Sequence, residues 1–441
     1  METVPTLTRV VSELTRRTPA QASLALARHA VLDTCGCILA GATSEQAERL
    51  GAMQAAAAEA GLGARALRLG VMAHALDFDD YEEPASTHPS AALVPALLTL
   101  VAPGGAVSLR DALSAYVAGF DLILTLGKVL GYGHYMAGWH ATSTLARPGA
   151  ALTAARLLGL DPVRTVSAVS IAMTQSAGLK AQFGTDTKAL HAGLAARSGV
   201  ESALLAQAGF TASPGLADGP FGFAALFGTE RSPGWEQVAA KGLPSIAGHP
   251  PFAKPWPSCG YTIRPIEAAI RIAGADGFDA DAIERISVRM PEPYHRVAGI
   301  ADPATPNEAR FSTSYCVAAA LARGGVGPET FEPPALAHQD IRRLMARLDF
   351  DVYPMPDGAG DMSPQAPDTV TVTMRDGRRL RETVAAVLGG PGRLLSGAQI
   401  AVKYRTCGGA HEVAEAFLAA GLDDVFDPGR LIAPAAAAPR A

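Results

Sequence analysis

Charge is scarce in this chain. Only 18% of its 441 residues are Asp, Glu, Lys or Arg, and the net charge is −5. Such a balance offers no polycationic surface to a nucleic acid. Aromatic residues are equally thin at 6%, with three Trp scattered along the sequence. Cavities that shelter carbocations need more. Five cysteines (Cys35, Cys37, Cys259, Cys316 and Cys407) fit neither a disulfide framework nor a zinc site. Cys35 and Cys37 fall in an apolar helical segment and are expected as buried thiols, which points to a reducing, cytoplasmic compartment. No HExxH, GxGxxG, Walker A or paired CxxC occurs, so metal hydrolysis, hydride transfer and nucleotide binding lack support. No apolar run is read as reaching the ~20 residues of a membrane span. The first residues, METVPTLTRVVSELTRR, show helical spacing and no basic start, apolar middle or small-residue cleavage site, so no signal peptide is expected.

What is abundant is apolar helix. Hydrophobic residues make up 49% of the chain, enough for a large core in two or three folding units. Ala-rich segments with 3.6-residue spacing predict helices at 21–41, 107–130, 149–159, 162–178 and 189–209. Asp161-Pro162 and Ser108 mark helix starts. The texture changes at AGHPPFAKPWPSCG, a Pro- and Gly-rich hinge beginning at Ala247. Residues 283–291 alternate in period two, and 368–384 read as two strands about an Asp376-Gly377 turn. Helices are expected between them at 311–323 and 335–347, and again at 396–404 and 410–420. The resulting fold class is mainly α. A large helical domain (1–249, returning at 394–430) carries a smaller α+β lid (250–393), and 431–441 form a loose tail.

The chemistry concentrates in MAHALDFDDYEEPASTHPSAALVPALL, residues 72–98. Three carboxylates, Asp77, Asp79 and Asp80, lie in four residues, with His88 close behind. Clustered acids beside a histidine are costly unless they bind a cation or move protons. The DxDD pattern also occurs in enzymes that protonate alkenes, and Asp79-Asp80 with Glu82-Glu83 faintly suggests a magnesium–diphosphate site, but both want an aromatic-lined cavity. Glu82 and Glu83 read as solvated charges. Asp77 does not, because Ala73, Ala75, Leu76 and Phe78 surround it. His74, one helical turn before Asp77, is placed to bond that carboxylate. His88 and His140 each sit in a turn before an apolar helix, where a histidine serves function or structure equally well. Lys188 stands at another loop-to-helix junction, a natural seat for a carboxylate or phosphate.

Together these segments resemble the MmgE/PrpD family, which includes 2-methylcitrate dehydratase, cis-aconitate decarboxylase and iminodisuccinate epimerase. The likeness is carried by VLDTCGCILAGA (31–42), HALDFDD (74–80), THPSAALVPALL (87–98), GWHATST (138–144), AALTAARLLGLD (150–161), KALHAGLAARSGVESALLAQAGFT (188–211), KPWPSCGYT (254–262) and FSTSY (311–315). It implies a cofactor-independent homodimer with an active site between a helical domain and an α+β lid. Carried onto this sequence, the catalytic residues are Asp77, His88, His140 and Tyr315, with Lys188, His191, Arg264 and Tyr81 against the substrate and no metal. The implied reaction moves a proton beside a carboxylate of a small di- or tricarboxylate. Dehydration of a hydroxy-polycarboxylate is the simplest version; epimerisation, decarboxylation and a non-catalytic paralogue are the alternatives. The chain departs from the family pattern at Tyr81, where decarboxylase-like members have Thr, at Ile263, where many have His, and at Arg147, where small residues are usual.

Overall fold

The computed structural model describes residues 4–102 and 105–435, a mainly α chain with a smaller α+β part. Helices Gln21–Gly41 and Leu109–Leu130 are apolar on nearly every face. Against the expectation from sequence, both are long and apolar enough to cross a bilayer. Yet 67% and 94% of their apolar stretches are buried in the protein itself, as core helices are. The helix starts follow from side-chain caps. Asp161 accepts from the Val163 and Arg164 N–H groups ahead of Pro162, and Ser108 accepts from Asp111 N–H.

One helix boundary departs from the sequence reading for a specific reason. The helix expected from residue 149 begins already at Ala141 and runs through Pro148 to Leu157. Proline cannot donate to the carbonyl four residues back. That carbonyl, on Thr144, accepts instead from Ser176 Oγ at 2.7 Å, so the proline is absorbed without an orphaned acceptor. A second packing detail brings distant chemistry together. Helix Leu62–His74 lies against helix Asp186–Gln207 with the two backbones in contact at Gly70 and Gly193. A Cβ on Gly70 would come within 2.6 Å of the Gly193 Cα. This approach sets His74, at the end of the first helix, beside Lys188, at the start of the second.

The four strands are β1 (Ile283–Pro291), β2 (Leu348–Tyr353), β3 (Asp368–Met374) and β4 (Arg379–Val384), in the order β2-β1-β3-β4. β1 pairs with β2 in parallel and with β3 antiparallel, and β3–β4 is the expected hairpin, its turn closed by Gly377 at φ +86°. β2 is a strand the sequence reading did not assign. It is an edge strand whose Asp349 and Asp351 pair with Arg285 and Arg289 of β1 at 2.9 and 2.6 Å. Helix Ile263–Ala273 covers β3 and β4 and packs on helix Thr313–Arg323.

The Pro-rich hinge is sewn to the acid-rich loop, since Tyr81 and Phe252 exchange both backbone hydrogen bonds at 3.1 and 2.8 Å. After the sheet, helix Gly397–Thr406, opened by a Ser396/Gln399 capping box, packs on Gln21–Gly41. There Lys403 meets the buried Asp33 at 2.7 Å and donates to Phe78 O at 2.6 Å. The expected loose tail starts in order: Leu431 is buried and its carbonyl accepts from Tyr404 OH at 2.9 Å. Residues 436–441 lie outside the described residues.

Candidate active site

The acid-rich loop between helices Leu62–His74 and Ser90–Leu100 turns inward, and its carboxylates divide by partner. Asp77 takes a left-handed backbone, φ +51°, a conformation that non-glycine residues adopt mostly where the surroundings impose it. Lys254 imposes it here, donating both to the Asp77 carbonyl at 2.9 Å and to its Oδ1 at 2.7 Å. Lys188 donates to the same Oδ1 at 2.9 Å. Burial alone would push this carboxyl up, but the two ammoniums hold it well below the usual carboxylate range. It is therefore a fixed negative charge. Asp80 faces away, bonded to the Ser90 N–H and hydroxyl, and burial raises it to about 8.

The histidines are set by these charges. His74 donates from Nδ1 to Asp79 at 2.8 Å, and its bare Nε2 accepts from Lys188 Nζ at 3.0 Å. The expected partner, Asp77, is reached only through that lysine. Burial and the Lys188 charge lower His74, so it is neutral. His88 has Nδ1 3.3 Å from Asp79 and Nε2 3.7 Å from Asp77 Oδ1. Burial first, then Lys254 and Lys188, draws it down to about 3. His140, at the start of helix Ala141–Leu157, contacts His191 Nδ1 to Nδ1 at 3.0 Å, and its own Nε2 is buried with no protein partner. Burial and Lys188 hold His140 well below the ordinary imidazole value, and burial and Arg147 take His191 down to about 4. In the empty pocket, His88 and His140 are neutral bases.

These groups share one small, partly open pocket with a cavity volume of about 30 Å³. Asp77, Tyr81, His88, His140 and Lys188 line it, with Ser86, Tyr135, Cys259, Tyr261 and the rings of Phe183 and Phe311 completing the wall. Lys188 has three N–H donors and spends two within the protein, leaving one for a ligand. His191 stands one residue back, behind His140.

Two expected site residues lie elsewhere. Tyr315 is fully buried in the α+β part, where its hydroxyl donates to Thr330 O at 2.6 Å. Arg264 is also fully buried. It pairs with Asp368 at 2.6 Å and donates to the Ser363 and Ala385 carbonyls at 3.2 and 3.0 Å. Neither lines the pocket. Glu82 corrects the reading of a solvated charge: it is buried, accepts from Ala85 N, Thr87 N and Thr87 Oγ1, and closes the 82–87 loop. The sequence reading also passed over Lys254, Tyr261 and Asp361. A lone lysine inside the Pro-rich, otherwise uncharged KPWPSC segment was the available signal for the first.

His74, Asp77, Asp79 and His88 bring one ligand atom each to within 4.8 Å of one another, a spacing that a metal ion could bridge. Here most of their donors and acceptors are already engaged, although His88 Nδ1, 3.3 Å from Asp79, makes no hydrogen bond among the described residues. Asp79 takes the His74 N–H, and the open side of Asp77 is filled by two ammoniums. A divalent cation would have to displace both lysines against their charge.

Comparison with known proteins identifies the family. The MmgE/PrpD N-terminal domain matches residues 5–236, and the MmgE/PrpD C-terminal domain matches residues 256–419. The human cis-aconitate decarboxylase is 27% identical over 361 residues, which cover 76% of this chain and 70% of the relative. A cis-aconitate decarboxylase-like protein of Aspergillus oryzae is 31% identical over 312 residues (64% and 63%). A cis-aconitate decarboxylase of Aspergillus terreus is 31% identical over 247 residues (53% and 47%). The chain belongs to the MmgE/PrpD family, and its likeness to these lyases supports a lyase-type role.

Proposed function

We propose that this MmgE/PrpD chain is a cofactor-independent lyase that moves a proton at a carbon beside a carboxylate of a small polycarboxylate, most simply in dehydrating a hydroxy acid. The observation that carries this reading is the charge arrangement in the pocket. A fixed Asp77 carboxylate holds two ammoniums, one of which keeps a free donor, between two neutral histidines. Removing a proton next to a carboxylate builds enediolate charge, which a prepositioned ammonium stabilises. A neutral imidazole takes the proton; His88 Nδ1 and His140 Nε2 both lack a hydrogen-bond partner among the described residues, but His88 lies beside the Asp77 and Asp79 carboxylates, which suit a protonated acid, so His140 serves as the base. Burial depresses His88 most, then Lys254 and Lys188; a substrate carboxylate seated on Lys188 offsets part of that charge and favours the protonated, acid form of His88. Asp77 and His74 position Lys188.

Decarboxylation is the second reading, favoured by the activity named for the relatives above. The same machinery accommodates it if carbon dioxide leaves in place of the first proton. The proposal includes a homodimer in the cytoplasm. The five cysteines are free and buried, as suits a reducing compartment, and Phe210, Phe221 and Leu226 expose apolar side chains that a second subunit would cover.

The test is incubation with a panel of hydroxy- and unsaturated polycarboxylates. Growth of ultraviolet absorbance from a new conjugated acid, without gas release, supports dehydration. Carbon dioxide release supports decarboxylation, and solvent-proton exchange with inversion and no net elimination supports epimerisation. Turnover of none of the panel, with no binding, would overturn the reading.

A further inference from the structure

Part of the pocket wall is built of hydroxyls, and three of them are tied to a single carboxylate behind the wall. Tyr81 OH and Ser86 Oγ donate to Asp361 Oδ2, the latter at 2.9 Å. Tyr261 OH donates to Oδ1 at 3.0 Å, and the Met362 N–H donates to the same oxygen at 3.0 Å. Tyr132 OH lies 3.5 Å away. Tyr81, Ser86 and Tyr261 all line the pocket, while Asp361 is 2% exposed and does not. The first two come from the acid-rich loop and the others from the α+β part, so this carboxylate joins the two parts at the pocket.

The chemical consequence follows from donor counting. A hydroxyl that has given its hydrogen to a carboxylate offers a ligand only lone pairs. Burial pushes the Asp361 carboxyl up to about 8, against the pull of the Met362 N–H. Once that carboxyl is ionised, every hydroxyl bonded to it is a donor to it, and the wall offers a ligand only acceptors in front of a negative charge. It is mismatched to another carboxylate and matched to a donor. A ligand without one leaves the wall unpaired, and sites built to bond a hydroxyl discriminate strongly against analogues that lack it.

We propose that Asp361 is a positioning and specificity-determining residue: it holds the Tyr81, Ser86 and Tyr261 hydroxyls as acceptors, and they select substrates bearing a hydroxyl or amino hydrogen in addition to the carboxylate at Lys188. This rests on the carboxylate reading above and narrows it toward hydroxy- and amino-acids. The experiment is titration calorimetry at pH 9, where Asp361 is ionised, with two pairs of acids that differ only in a hydroxyl, malate against succinate and citrate against tricarballylate. In the wild type the hydroxy member of a pair binds at least about tenfold tighter. In Asp361→Asn, whose amide reverses one hydroxyl's direction, the margin shrinks to about twofold, while succinate and tricarballylate hold their affinity. If Asp361→Asn does not fold, Ser86→Ala and Tyr261→Phe each narrow the margin. Equal affinity within a pair in the wild type, or equal losses for both members in the variants, would overturn the role of Asp361 and leave the carboxylate reading standing, provided Lys188→Met abolishes binding of both. If no probe binds the wild type, the carboxylate reading falls, and this inference with it.

Discussion

Two buried cation–carboxylate pairs stand in different parts of this molecule. Lys188–Asp77 closes at 2.9 Å where two helices meet the acid-rich loop, and Arg264–Asp368 closes at 2.6 Å beneath the sheet. By burial and distance they look alike. They differ in where the cation's spare donors lie. Arg264 gives Nε and Nη1 to Asp368 and to two backbone carbonyls, and its unpartnered Nη2 is buried away from the pocket. Lys188 keeps one N–H on the cavity side. A buried ion pair is by itself weak grounds for either stability or function. A donor left over beside a cavity is what separates a binding group from a strut.

This contrast is broken most sharply at the site. Lys188→Met is expected to lower kcat/KM by on the order of a thousandfold, because the charge that builds in the transition state loses its ammonium. His140→Gln should cost about a hundredfold to ten-thousandfold in kcat, measured under saturating substrate. Arg264→Met makes the converse case. It leaves Asp368 buried without a partner and should cost about 3–5 kcal/mol in denaturant unfolding, with kcat/KM per folded molecule within about twofold of wild type. An activity loss of the Lys188 kind in Arg264→Met, at intact stability, would erase the distinction. Smaller again is the effect of pH. Burial and the Lys188 charge hold His140 well below the ordinary imidazole range. Its neutral, proton-accepting form therefore persists as pH falls. After correction for substrate ionisation, kcat/KM at pH 5.5 should fall no more than about twofold below its value at pH 7.5, whereas an ordinary imidazole base would lose about tenfold. Smallest is Arg285→Ala, which removes an exposed pair across the sheet edge and should shift stability by under about 1 kcal/mol.

Much of this was legible in the sequence where local pattern decides. Helix spacing, Asp161-Pro162 and the Asp376-Gly377 turn each specify their own neighbourhood. So do the turns that hold His88 and His140, and the Lys188 junction. What escaped was decided by distant partners. Pro148 reads as a helix break until Ser176, far along the chain, supplies the missing donor. β2, with its LDFDVY alternation of acids and apolar residues, gains its place only from the arginines of β1. Lys254 carries only the signal of its uncharged surroundings and Asp361 none, because the acid-rich loop they serve lies 177 or more residues away in sequence. The resemblance that pointed to Tyr315 and Arg264 conveys position along the chain. It does not say which way a side chain turns, and both turn into the interior of the α+β part.

Proton nuclear magnetic resonance of a bound hydroxy-polycarboxylate in deuterated buffer tests the central claim most directly, run on wild type and on His140→Gln side by side. Deuterium should enter at the carbon beside a carboxylate, or the new alkene should form, with wild type alone. The same label arriving at the same rate with His140→Gln would contradict the account.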